Sequence, residues 1–367
     1  MLKKFSVANF RNFNEELLID FSNTRDYKFN EICIKDGLIN KGIIYGRNAE
    51  GKSNLGKALI DIRSNLVDDF PSSKNNFFNA FSNKDEAVFK YEFLFDSKTI
   101  KYCYKKDSNC ELIFEELQIE NKTLFSYDFI KEDGDFDEIA SYDETKNLNF
   151  KYWKKNKSIL KYIINNSEGI EIIDQLMTFV NGMAIVRPSD KSLSFIGPQV
   201  VKNGGIINSL IEQSLVGEFH TFLKQAGIDL PLMEDVKPDG QKSLYINFKR
   251  PIEFVTYASS GTLALLGIFR ILKSLDSITF LYIDEFDANF HFELAEYILD
   301  YIKKEVPIQT LITTHNTDLM SNKYMRPDCY FILINGKLNS VPETTIRELR
   351  QGHNLEKLYQ SGEFTNQ

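Results

Sequence analysis

The sequence contains no apolar run approaching the roughly 20 residues needed to cross a bilayer, which argues against a helical membrane-spanning protein. Its opening, Met1 to Arg11, carries lysines but no long apolar stretch behind them, and reads as no secretory signal. Cysteine is sparse: Cys33, Cys103, Cys110 and Cys329 are scattered and form no C-x-x-C pair. That usage fits a reducing compartment and speaks against a structural metal. Basic charge is not in excess, since 44 Lys and Arg face 52 Asp and Glu for a net charge of −8. A surface that coats nucleic acid throughout is therefore disfavoured, though a local basic patch is not. Internal repeats and sustained heptads are also missing. These absences together predict a cytoplasmic protein with no membrane partner. What remains is a chain of 367 residues, 43% hydrophobic and 26% charged. That is enough for a large core in one large domain or two ordinary ones.

Along the chain, residues 1–22 read as strand, turn and strand, and residues 42–45 as a short apolar strand entering a Gly-rich turn. Leu55, Leu59, Ile62 and Leu66 recur at helical spacing. Residues 88–119 alternate apolar and polar side chains, predicting two or three antiparallel strands. Residues 159–180 and 206–226 look helical, and the Pro- and Gly-containing residues 182–205 loop-rich. A helix follows Thr262 to about Leu275. Then come a strand over 278–283 that is apolar on both faces, a helix over 290–304, a strand over 310–314, and a hairpin turning at Asn335-Gly336. Strand–helix alternation at both ends marks an α/β sheet, with the middle inserted. The predicted organisation is residues 1–110 and 251–367 forming one head, with 111–250 a largely helical insertion.

Gly46-Arg47-Asn48-Ala49-Glu50-Gly51-Lys52-Ser53 matches G-x-x-x-x-G-K-[ST] between a strand and a helix. The glycines let backbone amides wrap phosphate oxygens at a helix N-terminus. Lys52 is suited to bridge the β- and γ-phosphates, and the Ser53 hydroxyl to hold Mg²⁺. Phe280 to Ile283 ends in Asp284-Glu285, and the expectation is that this strand lies directly beside the phosphate-loop strand in a parallel sheet. Asp284 would bind Mg²⁺ through its water shell, and Glu285 would act on the water attacking the γ-phosphate. His315 ends the next strand near the same rim and is assigned to the γ-phosphate and that water; His220, His291 and His353 are read as structural. Ser259-Ser260-Gly261-Thr262 opens an apolar helix 24 residues before Asp284. Taken alone it is an ordinary helix cap; its order between phosphate loop and acidic strand is what points to an anion site.

This order, with Asn9-Phe10-Arg11-Asn12-Phe13 at the start, Ser53-Asn54-Leu55 after the loop and Thr-Thr-His-Asn at the second strand end, resembles the ABC-type P-loop ATPases of the SMC/RecF/OLD branch. It is most similar to the stand-alone AAA-type subgroup described as ATP/GTP phosphatases, which includes ATPase subunits of anti-phage systems such as PARIS and Septu. The likeness covers roughly residues 1–70 and 250–365. It implies an ABC-type head with a mixed sheet, a parallel core plus an antiparallel β subdomain, and an inserted, mainly helical region. It also implies ATP with Mg²⁺, and a head-to-head dimer in which one copy's phosphate loop, including Asn48, Ala49, Glu50 and Asn54, faces the other's Ser260-Gly261. In that arrangement Asp287 would communicate between sites and Arg11 would sit near the nucleotide. The glutamine that senses Mg²⁺ and γ-phosphate in that branch has no clear counterpart after Val88. No fused nuclease is evident, so a nuclease effector would be a separate polypeptide.

The expected function is ATP-driven dimerisation controlling a partner effector in phage defence. The alternatives are a RecF/SMC-like DNA-maintenance ATPase and a scaffold assembled by ATP with little turnover. DNA is possible but not favoured. The six lysines of residues 145–162, with Phe150, Tyr152 and Trp153, suit DNA or an acidic partner, but a solvated face answering the acidic residues 132–144 is preferred.

Overall fold

In the computed structural model, residues 1–68, 76–150, 157–188, 193–198, 205–237 and 240–365 are described. Two seven-stranded sheets dominate. The alternating stretch folds as expected into a meander of Ala87–Phe95, Lys98–Lys106 and Leu112–Ile119. Lys122–Asp128 and Asp133–Asp135 extend it on one side, and the N-terminal pair Leu2–Ala8 and Leu17–Asp20 on the other. Every pairing in this sheet is antiparallel. Its inward aromatics stack in register, Phe89 on Tyr104 with centroids 5.0 Å apart.

The second sheet runs Leu193–Ile196, Met183–Pro188, Phe280–Ile283, Gln309–Thr314, Lys41–Tyr45, Tyr330–Ile334, Lys337–Ser340. Its five central strands are parallel and its two edge strands antiparallel. Strands 41–45, 280–283 and 309–314 are buried along their whole length; Phe280–Ile283 accordingly reads as a continuous apolar run, whereas Gln309–Thr314 buries four polar side chains around Leu311 and Ile312. The fold is a mixed α/β head with a parallel core and an antiparallel β subdomain.

Three expectations are corrected here. The acidic strand does not lie beside the phosphate-loop strand: Gln309–Thr314 stands between them, paired in parallel with both. The helix Phe292–Glu305 joins Phe280–Ile283 to Gln309–Thr314 as one crossover unit, which makes those two strands neighbours. Residues 182–205 are not simply loop: Met183–Pro188 enters the parallel core against Phe280–Ile283. Its signal was short and ended in a proline, yet Ala184 and Val186 are buried. Finally, the middle of the chain is not only helical. It holds the helices Ile159–Asn166, Glu171–Asn181, Gly205–Glu212 and Val216–Gln225, but residues 112–135 lengthen the antiparallel sheet and 183–196 supply two strands of the core sheet. A small sheet of Leu232–Val236, Lys242–Ile246 and Ile252–Glu253 leads into the helix Ser260–Leu272. Among the described residues no helix is long and apolar enough to cross a membrane.

The helix following the phosphate loop, Lys52–Ile60, is braced from the antiparallel sheet. Tyr91 Oη donates to Ala58 O (2.9 Å), and just beyond the helix Asp61 is buried with Lys106 (2.6 Å) and Tyr104 Oη (2.9 Å). A buried ion pair that also accepts a neutral hydrogen bond is costly to break from one side, so the helix is fixed in place behind the loop.

Candidate functional site

All five parallel strands deliver their carboxyl ends to one rim, where ligands bind in open α/β sheets. Between Lys41–Tyr45 and Lys52–Ile60 the chain wraps into a tight loop. Gly46 has no room for a side chain, because a Cβ there would lie 2.8 Å from Leu333 O. Gly51 has φ +107°, which only glycine adopts readily. Lys52 is buried and donates Nζ to Gly46 O (2.7 Å) and Arg47 O (3.2 Å), while His315 Nδ1 lies at 3.5 Å. Burial holds the Lys52 ammonium below its usual range against the opposing carboxylates Asp284, Glu285 and Glu50. Burial and then the Lys52 charge likewise lower His315. The His315 ring is therefore held neutral beside a cation, able to accept or donate one hydrogen bond.

The acidic strand end locks onto the loop. Ser53 Oγ donates to Asp284 Oδ2 (2.6 Å), and Thr313 Oγ1 donates to Asp284 Oδ1 (2.9 Å). Thr313 Oγ1 also accepts from Glu285 N (2.8 Å), at a residue held at φ +50°. A left-handed glutamate costs about 1–2 kcal/mol, and strain of this kind collects at sites where a side chain must be aimed. Tyr282 Oη donates to Lys52 O (2.6 Å), and Gly56 lies so close to that ring that a Cβ would sit 2.7 Å from it. The Glu285 carboxylate pairs with Arg187, whose Nη1 is 4.0 Å from Asp284 Oδ2. One strand further, Thr314 Oγ1 donates to Asp287 Oδ2 (2.7 Å), and burial raises the Asp287 carboxyl above its usual range.

The structure thus brings Lys52, Ser53, Asp284, Glu285, Asp287 and His315 together. The other candidates are placed less directly. Asn48 is exposed on the loop, and Ala49 has φ +69°. Asn54 donates to Asn12, which in turn donates to Ala49 O (3.0 Å). Glu50 turns away to accept from Asn335 N (2.8 Å). Arg47 and Glu50 line a cavity of about 580 Å³ with Tyr359 and Gly362. Arg11 lies 5.4 Å over the Phe10 ring, close enough for its charge to act on Lys57, one turn past Ser53. Ser259 caps its helix by accepting from Thr262 N (3.2 Å), and a Cβ on Gly261 would lie 2.7 Å from Asn289 O. Ser259 and Thr262 also share a hydroxyl contact of 2.9 Å, and Gly261 packs on the loop after Glu285.

Sequence reasoning missed Arg187, Thr313, Tyr282, Gly56 and Asn12 as parts of the site. Arg187 had no motif to announce it, since its strand had not been recognised. Of the basic stretch, Lys146 pairs with Asp143 (3.1 Å), Lys161 with Asp68 (2.6 Å), and Phe150 stacks on Phe136. Residues 151–156, including Tyr152 and Trp153, lie outside the described residues.

Mg²⁺ retains waters and uses one or two carboxylates with substrate phosphates rather than an all-protein cage. Ser53 Oγ and Asp284 Oδ2, both hard oxygens, meet at 2.6 Å and fit that demand. Among the described residues no group of three or more His, Cys, Asp or Glu side chains forms a metal cage, which that chemistry does not require.

Fold, loop and acidic strand end together define a P-loop ATPase head. The family described as "AAA domain, putative AbiEii toxin, Type IV TA system" matches residues 43–321, and the chain belongs to that family. No curated protein matches the sequence. Among solved structures, the SMC head domain from Thermotoga maritima is similar at 16% identity and a TM-score of 0.45, over 93% of this chain and 98% of that one. An SmcHead bound to the C-winged helix domain of ScpA is similar at 13% identity and 0.46, over 93% and 96%. An Smc head domain with an extended coiled coil, bound to the C-terminal domain of ScpA derived from Pyrococcus furiosus, is similar at 12% and 0.45, over 93% and 95%. At these scores the likeness bears on neither activity nor partner.

Proposed function

We propose that the chain binds ATP in residues 46–53 and hydrolyses it. The observation that carries this is the contact of Ser53 with Asp284 at 2.6 Å, within one cluster that also holds Lys52, Glu285 and His315. Lys52, now satisfied by loop carbonyls, would exchange them for β- and γ-phosphate oxygens, aided by the loop amides. Mg²⁺ held by Ser53 and Asp284 would neutralise charge developing on the phosphates. Glu285 orients water and takes its proton as the water oxygen attacks the γ-phosphorus and the bond to the ADP oxygen breaks. His315, neutral beside Lys52, donates to the γ-phosphate.

The Ser260-Gly261 turn, which opens a helix and packs on the loop after Glu285, supports a site completed by a second copy. In that dimer the positive helix end would face the other copy's γ-phosphate, and Asp287 would link the two sites. Dimerisation would in turn control a separate effector in anti-phage defence. The family's toxin description is compatible with such a paired system.

Lys52→Ala is expected to abolish ATP binding. Glu285→Gln should keep binding and slow turnover at least about 100-fold, the scale of a lost general base. Normal turnover in Glu285→Gln would remove its role, and unchanged affinity in Lys52→Ala would remove the phosphate-loop assignment. Duplex DNA should bind weakly with a shallow salt slope; tight, salt-steep binding would favour a DNA-maintenance ATPase instead.

A further inference from the structure

Arg187 has no task in the hydrolytic scheme above, yet it stands at the rim against the acidic pair. The parallel register sets Val186 opposite Ile283, and Asp284 N donates to Val186 O (2.8 Å). Arg187 therefore leaves its strand level with the acidic pair. Its guanidinium engages Glu285 Oε2 and stands 4.0 Å from Asp284 Oδ2. The same Asp284 Oδ2 accepts from Ser53 Oγ at 2.6 Å, so Arg187 stands near the start of the phosphate-loop helix as well as near the acids. The side chains of Arg187 and Glu285 remain 48% and 29% exposed. An ion pair so open to water is weak. A guanidinium fork on phosphoryl oxygens is a stronger, charge-assisted contact. The pair is thus made to be exchanged rather than to hold the fold together.

We propose that Arg187 senses the terminal phosphate. It pairs with the Glu285 carboxylate, and an arriving γ-phosphate takes the guanidinium over. A carboxylate that spends one of its oxygens on a guanidinium has fewer lone pairs to aim at water, so the transfer frees Glu285 when substrate is present. A diphosphate lacks the group that would draw Arg187 away and leaves the pair closed. The inference rests on the hydrolytic reading.

The test is calorimetric titration of the full chain, in the presence of Mg²⁺, with AMP-PNP and with ADP, for wild type, Arg187→Ala, Arg187→Lys and Lys52→Ala. Arg187→Ala should weaken AMP-PNP binding at least about 10-fold, the effect of one charge-assisted contact. ADP affinity should stay within about 2-fold, since no contact to the diphosphate is lost. Arg187→Lys should recover part of the loss, because it keeps charge without the fork. A merely structural arginine would weaken both nucleotides alike and lower the unfolding midpoint, and that result overturns the proposal, as does an unchanged AMP-PNP-to-ADP ratio in Arg187→Ala. If wild type binds neither nucleotide, or Lys52→Ala binds both like wild type, the hydrolytic reading itself fails and the sensor falls with it.

Discussion

Thr313→Val separates hydrogen bonding from packing at the centre of the site. Thr313 is fully buried, and its hydroxyl joins two groups that have few other options: it donates to Asp284 Oδ1 at 2.9 Å and accepts from Glu285 N at 2.8 Å. Valine keeps the shape and removes the hydroxyl, leaving a buried carboxylate oxygen and a backbone N–H unpaired. Each orphan costs about 1–3 kcal/mol, so the expected loss of stability is about 2–6 kcal/mol. Thr313→Ser is the control: it keeps both hydrogen bonds and removes one buried methyl, worth about 1 kcal/mol. Activity should follow the same order for a separate reason. Glu285 is held at φ +50°, and the Thr313 contact to its amide helps pin it there. Without that tether the carboxylate loses its aim, and a misplacement of about 1 Å can cost about 100-fold in rate. Equilibrium urea unfolding and steady-state phosphate release measure the two effects. If Thr313→Val proves as stable as Thr313→Ser, the hydroxyl is not what organises the acidic strand end.

Two further substitutions test the frame around this centre. Gly56→Ala would force a Cβ to 2.7 Å from the buried Tyr282 ring; overpacking of about 1–3 kcal/mol should exceed the helix gain of at most about 1 kcal/mol, giving a lower urea midpoint and weaker ATP binding. His315→Gln should flatten the pH dependence of stability between about pH 5 and 7, the range spanning the usual histidine value. The folded chain holds His315 below 6.5, first by burial and then through Lys52. The unfolded chain therefore takes the proton first, and wild-type stability declines as the pH falls through that range. Identical pH profiles for the two proteins would contradict a neutral ring at Lys52.

Much of this architecture was legible because its signals are local. The phosphate loop, the apolar strand 280–283, the strand 309–314 and the alternating meander each carry a local signal, and all form where expected. What escaped was set by pairing. Nothing within Phe280–Ile283 says that its neighbours are Met183–Pro188 and Gln309–Thr314 rather than Lys41–Tyr45; strand order is decided by crossovers and by which apolar faces meet. Arg187 was hidden for the same reason, since a short, half-apolar stretch before a proline looks like a loop until a partner strand is supplied. Thr313 and Tyr282 read as ordinary strand residues, and only register turns their hydroxyls toward Asp284 and Lys52. The phosphate-binding half of the site is written in contiguous residues, whereas the half that aims the acids is written in the sheet.

That division bears on how one event at the rim reaches the signature turn. The segment leaving Glu285 is short. Phe286 is buried behind it, Asp287 is tied to Thr314 Oγ1, and Asn289 O closes against Gly261. On the proposed exchange, a shift of Glu285 would pass over five residues to the N-terminus of the helix Ser260–Leu272. Gly261→Ala tests whether that contact is obligatory. The obstacle is a backbone carbonyl at 2.7 Å, which cannot rotate away as a side-chain end would. Relief requires the helix and the loop to separate. On propensity alone an alanine in a helix is favoured by about 0.5–1 kcal/mol, so the sign of the stability change decides between the two effects. A destabilised variant with reduced turnover and intact ADP binding is the expected result, measured by urea unfolding, phosphate release and calorimetry. A variant more stable than wild type, with full turnover, would mean that the loop and the signature turn are neighbours without being coupled.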